Sequence, residues 1–156
     1  MTNQYWSIYY AKDLVLVPTS VKSSVGVRMT VDPMEIVHVN SRAELRHAIS
    51  SIIAKGNPIV SHPSQEEMSK ITIHKKLGFN SYKEFNHTAI LWAIGLMNNV
   101  YEIEFWKVPE NGRGYVSDPT KTINFPAGTT TETVVDKLID IIQETHRQKM
   151  IEGNKE

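Results

Sequence analysis

The hydrophobic pattern of this 156-residue chain changes period at Ser41, and that change limits the folds open to it. Before Ser41 the apolar residues come in short β-branched and aromatic runs: Tyr5-Trp6-Ser7-Ile8-Tyr9-Tyr10, then Leu14 to Val17, Val25 to Met29 and Glu35 to Val39. Such runs favour strands. Pro18, Ser23-Ser24 and Asp32-Pro33 fall between them and read as turns. After Ser41 the apolar residues recur every three or four positions, the spacing of one helix face.

Ser41-Arg42-Ala43-Glu44 has the form of a capping box, in which a serine hydroxyl accepts from an orphan helix amide and a glutamate reaches back. Leu45, Ala48, Ile49, Ile52 and Ile53 follow as one apolar face, and Gly56-Asn57-Pro58 stops the helix. The same box recurs at Ser64–Glu67, Ser81–Glu84 and Thr129–Glu132. The expected helices are 42–55, 65–77, 82–88 and 130–147. In the last, Val134, Val135, Leu138, Ile141 and Ile142 face one way, with Asp136, Lys137, Asp140 and Glu144 opposite.

Between the third and fourth helices, Leu91-Trp92-Ala93-Ile94 and Tyr101-Glu102-Ile103-Glu104-Phe105-Trp106 flank Asn98-Asn99. Paired asparagines tolerate the positive φ of a tight turn, so this segment is expected to be a hairpin. Its first strand is apolar on both faces, as a central strand would be, with Trp92, Ile94, Ile103 and Phe105 as core candidates. Its second strand alternates, turning Glu102 and Glu104 to one face. Short strands are expected at Tyr115-Val116 and from Thr122 to Phe125. The expectation is an α+β single domain over residues 1–148, a largely antiparallel sheet packed with about four helices, and a polar frayed tail at 149–156.

Composition narrows the function. With 40% hydrophobic and 22% charged residues the chain is an ordinary globular one. Having no cysteine, it can form neither disulfides nor thiolate metal sites. Its 17 basic and 17 acidic residues give no overall field towards nucleic acid or an anionic membrane. Met1-Thr2-Asn3-Gln4 lacks a signal-peptide pattern, and the richest apolar window, Ala89 to Val100, is broken by Gly95, Asn98 and Asn99. A cytoplasmic protein is expected.

Catalytic motifs are missing. His38, His47, His62, His74, His87 and His146 are scattered without metal-ligand spacing, and surface or hydrogen-bonded histidines are the plainer reading. No GxSxG elbow is present, and Gly112-Arg113-Gly114 reads as a turn. Glu102 and Glu104 are neighbours on one strand face, whereas an acid/base pair needs carboxylates facing across a cleft. Charge is more informative. Lys70, Lys75, Lys76 and Lys83 are the only charges from Ser69 to Lys83; Glu84, Glu102, Glu104 and Glu110 then outweigh Lys107. A locally acidic surface suits a basic partner.

A capped short helix at Ser81-Tyr82-Lys83-Glu84-Phe85 leads into a strand with Trp92 and then Tyr101-Glu102-Ile103. A loop holding Gly112 and Gly114, a strand ending at Pro126 and an amphipathic helix follow. This order resembles small bacterial immunity proteins of contact-dependent growth inhibition systems, over roughly the second half of the chain. The resemblance implies a protein without enzymatic activity, metal or cofactor. Its partner would be the C-terminal toxin domain of a delivered effector, a basic nuclease, with no membrane or direct nucleic-acid contact. Glu102, Glu104, Glu110 and Asp118 are the residues expected to meet that toxin. The chain departs from the pattern in being neutral overall. Two alternatives stand beside it: a small enzyme assembled from residues such as His62, His87 and Glu104, and a nucleic-acid-binding regulatory module using the Lys70–Lys83 stretch.

Overall fold

The first forty residues make fewer and longer strands than their punctuation implies. A computed structural model describes residues 3–70, 72–108 and 115–153. In it β1 (Gln4–Ala11) turns through Lys12 and Asp13 into β2 (Leu14–Ser23), which turns into β3 (Arg28–His38). Pro18 and Asp32-Pro33, expected as turns, lie inside strands. Pro18 sits where the β2–β3 register shifts, and Pro33 is in an edge strand, the two settings in which a sheet tolerates a residue without an N–H. Val25 and Val27, expected in a strand, belong to the β2–β3 connection.

The helices start where the sequence places them, with different cap chemistry. α1 (Arg42–Ala54) begins after Ser41, yet the Ser41 side chain makes no capping bond; its carbonyl accepts from Leu45 N instead. Ser64 caps α2 (Gln65–Ser69) and Ser81 caps α4 (Tyr82–Thr88), accepting from Glu67 N and Glu84 N. The expected helix 65–77 is two short ones, α2 and α3 (Ile73–Lys76). Three successive β-branched residues, Ile71-Thr72-Ile73, stand at the break, and α2 buries none of its residues, so neither propensity nor packing holds one long helix there. At the last box the cap is Thr130, whose hydroxyl accepts from Thr133 N; α5 (Thr131–Gly153) runs past the expected end at 147 into the region expected to fray.

The hairpin forms as expected. Asn98 and Asn99, at φ 53° and 63°, join β5 (Ile90–Met97) to β6 (Val100–Lys107) in register Met97 to Val100. The sheet order is β3-β2-β1-β5-β6-β7, with β7 (Val116–Ser117) at the far side and β8 (Ile123–Asn124) also on β6. Every pairing is antiparallel except that of β4 (Ile59–Val60), which lies parallel to the end of β2.

Strand alternation divides the apolar residues between two faces. α1 and α5 cover one, burying Trp6, Ile8 and Tyr10 of β1, Trp92 and Ile94 of β5, and Tyr101 and Ile103 of β6 against Leu45, Ile49, Val135, Leu138 and Ile142. Phe105 packs at the rim of that core, its ring 6.1 Å from Trp92. Two polar links tie α5 to the sheet: Tyr10 OH with His146 Nδ1 at 2.8 Å, and Tyr101 OH with Thr131 Oγ1 at 2.6 Å. On the other face a smaller cluster of Ile73, Leu77, Phe79 and Phe85 covers only Ala11, Leu16 and their neighbours Tyr9, Leu14 and Met34. Tyr115 packs against Tyr9 beside this cluster; further along that face Tyr5, Glu102 and Glu104 are half-buried and Gly95 is buried.

Candidate functional site

Two cross-strand rows lie on the sheet face opposite α1 and α5: Tyr5–Gly95–Glu102 and Ser7–Ala93–Glu104, running across β1, β5 and β6. Gly95 interrupts an otherwise apolar central strand, and a missing side chain there weakens a strand. The reason is a close approach. A Cβ at position 95 would lie 3.1 Å from Tyr5 Cε1, from Glu102 Cγ and from Glu102 Oε1. Glycine lets the tyrosine ring and the carboxylate close over the strand.

Glu102 and Glu104 point to the same face and are half-buried, not fully solvated as a free strand edge would be. A hydrogen bond to the Glu104 carboxylate, then burial and the Glu104 charge, push Glu102 up to about 7 from an ordinary 4.5. A neighbouring carboxylate and partial burial both disfavour the charged form of Glu102, so Glu102 can take up or give a proton near neutrality.

Beside these rows the sheet forks. β1 and β2 pair only from Tyr9–Leu16 to Ala11–Leu14 and then separate. The exposed strand edges are served by side chains. Asn57, from the loop after α1, accepts from Tyr5 N at 2.9 Å and donates to Tyr5 O at 2.9 Å and Ser20 O at 3.4 Å, standing in for a strand's peptide group. Ser20 Oγ accepts from Ser7 N at 3.4 Å. Between the strands lies a cavity of about 170 Å3 bordered by Ser7, Tyr9, Thr30, Asn57 and Arg28. The Arg28 guanidinium carbon lies over the Tyr5 ring, 3.6 Å from its centroid. Burial, then the neighbouring Tyr82, push the Tyr9 hydroxyl up to about 12, so it stays neutral.

The structure brings Glu102 and Glu104 together but does not gather the other residues expected with them. Asp118 stands level with Phe105, its amide donating to that carbonyl, and its carboxylate accepts from Thr120 N and Oγ1 to cap the 3-10 turn Pro119–Lys121. The Thr120 side-chain bond first, then the Thr120 amide and the Lys107 and Lys121 charges, hold the Asp118 carboxyl below the usual carboxylate pKa range. Glu110 and Gly112-Arg113-Gly114 lie outside the described residues. His62 and His87 are exposed on separate elements, and among the described residues no three of His, Asp and Glu are grouped closely enough to hold a metal ion. Lys70, Lys75 and Lys76 lie on or beside α2 and α3, where Lys76 pairs with Asp32 at 3.3 Å. Tyr5, Arg28 and Asn57 escaped the sequence reading. Gly95 carried a signal, a glycine within an apolar strand, that was read only as breaking a membrane span.

No protein-family model matches the chain, and no curated protein matches it. Solved structures do share its architecture. A protein of unknown function from Neisseria meningitidis superposes with a TM-score of 0.64 at 9% identity, covering 93% of this chain and 95% of that one. A chain of the CdiA-CT/CdiI toxin and immunity complex from Yersinia pseudotuberculosis superposes with a TM-score of 0.60 at 9% identity, covering 92% and 98%. The likeness is one of fold. Among the described residues no helix is long and apolar enough to cross a membrane.

Proposed function

We propose that the chain is an immunity protein that binds and neutralises the C-terminal toxin domain of a contact-dependent growth inhibition effector. One observation carries this reading: the whole-chain likeness of fold to a chain of a toxin and immunity complex, over 92% of the residues. The element order from Ser81 to the last helix supports it independently. In this reading the protein has no chemistry of its own, acts in the cytoplasm and blocks a nuclease by contact.

The contact surface in this proposal is the sheet face opposite α1 and α5, with Glu102 and Glu104 receiving basic side chains of the toxin and Glu110 and Asp118 at the margin. A cation arriving beside Glu102 favours its ionised form, so binding releases a proton near neutrality. The test is to look in the neighbouring upstream gene for a large secreted protein ending in a toxin domain and to co-express that domain with this chain. A stable complex and relief of toxicity are expected; continued toxicity without a complex refutes the reading. Glu102→Ala/Glu104→Ala should fold normally, weaken the complex and flatten its salt dependence. Unchanged affinity at every salt concentration would remove this face from the interface.

A further inference from the structure

The chain satisfies most of its arginines internally. Arg42 holds Asp136 and Asp140, Arg46 holds Asp136, and Arg147 holds Glu144. Arg28 is different. Among the described residues no carboxylate reaches it, and its contact is the face of Tyr5. A contact with a ring takes up none of the guanidinium's N–H donors in a carboxylate bond, and a guanidinium can meet a carboxylate with two parallel bonds. Among the described residues the cavity beside it has no acidic residue in its lining, whose polar side chains besides Arg28 include Ser7, Ser20, Thr30 and Asn57. At roughly 30 Å3 of liquid volume per water, about 170 Å3 admits a carboxylate with a few waters.

We propose that the β1–β2 fork is a carboxylate site, in which Arg28, held on Tyr5, pairs with an acidic side chain of the partner domain. The inference rests on the reading of the chain as a toxin-binding protein and adds a second polarity to its surface. Tyr5 lies beside both charges: Arg28 is over its ring, and its Cε1 and the Glu102 carboxylate both crowd the space a Cβ at Gly95 would take. A partner matching this face presents an anion and a cation beside one aromatic ring, which fixes its orientation as well as its affinity. A lone exposed guanidinium holds a free anion weakly, whereas an acid delivered on a docked protein arrives at high effective concentration. That argument favours the partner as the source of the carboxylate over a small metabolite.

The test measures toxin-domain affinity by calorimetry for the full chain and its Arg28→Gln and Arg28→Lys variants, with acetate and inorganic phosphate titrated separately into the free protein. Arg28 is exposed, so both variants should keep the wild-type melting temperature. Arg28→Gln should weaken the complex roughly thirtyfold or more. Arg28→Lys should restore only part of the loss, because an ammonium does not offer a carboxylate the guanidinium's two parallel donors. Should Arg28→Gln destabilise the fold, an Arg28→Lys variant that is folded and binds like wild type overturns the inference. Wild-type binding with an unaffected Arg28→Gln overturns the inference and leaves the function standing. A wild-type chain that does not bind the toxin domain overturns both. Saturable binding of acetate or phosphate that disappears in Arg28→Gln overturns the partner as the source and assigns the fork to a free anion.

Discussion

Asn57 offers the sharpest test of how the forked sheet is held. Its carboxamide makes two bonds of 2.9 Å with the Tyr5 backbone and a longer one with Ser20 O. Each such bond contributes about 1 kcal/mol net, and a partner left buried and unpaired costs about 1–3 kcal/mol. Water in the adjoining cavity can replace part of what is lost. Asn57→Ala should therefore lower stability by about 1–3 kcal/mol in urea unfolding and speed amide exchange at Tyr5. Asn57→Asp separates hydrogen bonding from space filling. It keeps an acceptor for Tyr5 N–H but sets a carboxylate against the carbonyls of Tyr5 and Ser20. Its folded-state pKa should rise, so its stability should be greatest in acid and fall as pH rises. If both variants stay within about 0.5 kcal/mol of wild type and Tyr5 exchange is unchanged, the bridge does not hold the fork.

Trp92 is 2% exposed between Tyr10 and Phe105, and Trp92→Ala should cost about 3–5 kcal/mol in the same assay; intact stability with lost partner binding would instead make it an interface anchor. The carboxyl pair predicts a pH effect of defined sign. Because Glu102 binds its proton more tightly when folded, its contribution to stability is fully present below pH 4.5 and is lost as pH rises through about 7. Glu104→Gln should flatten this decline and move Glu102 back towards the ordinary carboxylate range in an NMR titration; an unchanged slope would show that Glu104 is not what raises it.

Local rules made some of this molecule legible and hid the rest for identifiable reasons. Ser64, Ser81 and Asn98-Asn99 act within three or four residues of themselves, so their roles can be read from sequence. Ser41 marks the right helix start for the wrong reason: its carbonyl, not its hydroxyl, serves the first turn. Pro18 and Pro33 misled because a proline ends a strand only where its missing N–H would have been needed, and neighbouring strands decide that. Alternation correctly put Glu102 and Glu104 on one face. Their half-burial depends on Tyr5, some ninety residues earlier in the chain, and on a glycine in the strand between them. Asn57 looked like part of a helix stop, and it is one; the contacts that matter to the fork are 52 and 37 residues away.

The unevenness of the two sheet faces gives the fold room for the features of the face with the smaller cluster. α1 and α5 bury the large residues of β1, β5 and β6 on one side, so the sheet does not need its other face for stability. That other face then carries several features that disfavour a strand or a charge: Gly95 in a central strand, Glu102 beside Glu104, an arginine that no carboxylate among the described residues reaches, and a fork closed by side chains. Their occurrence on one face suits a binding surface, because a partner can supply a cation to Glu102 and a carboxylate to Arg28. On the proposed reading the chain must hold such a surface ready without its partner, and a core packed on the opposite face lets it do so.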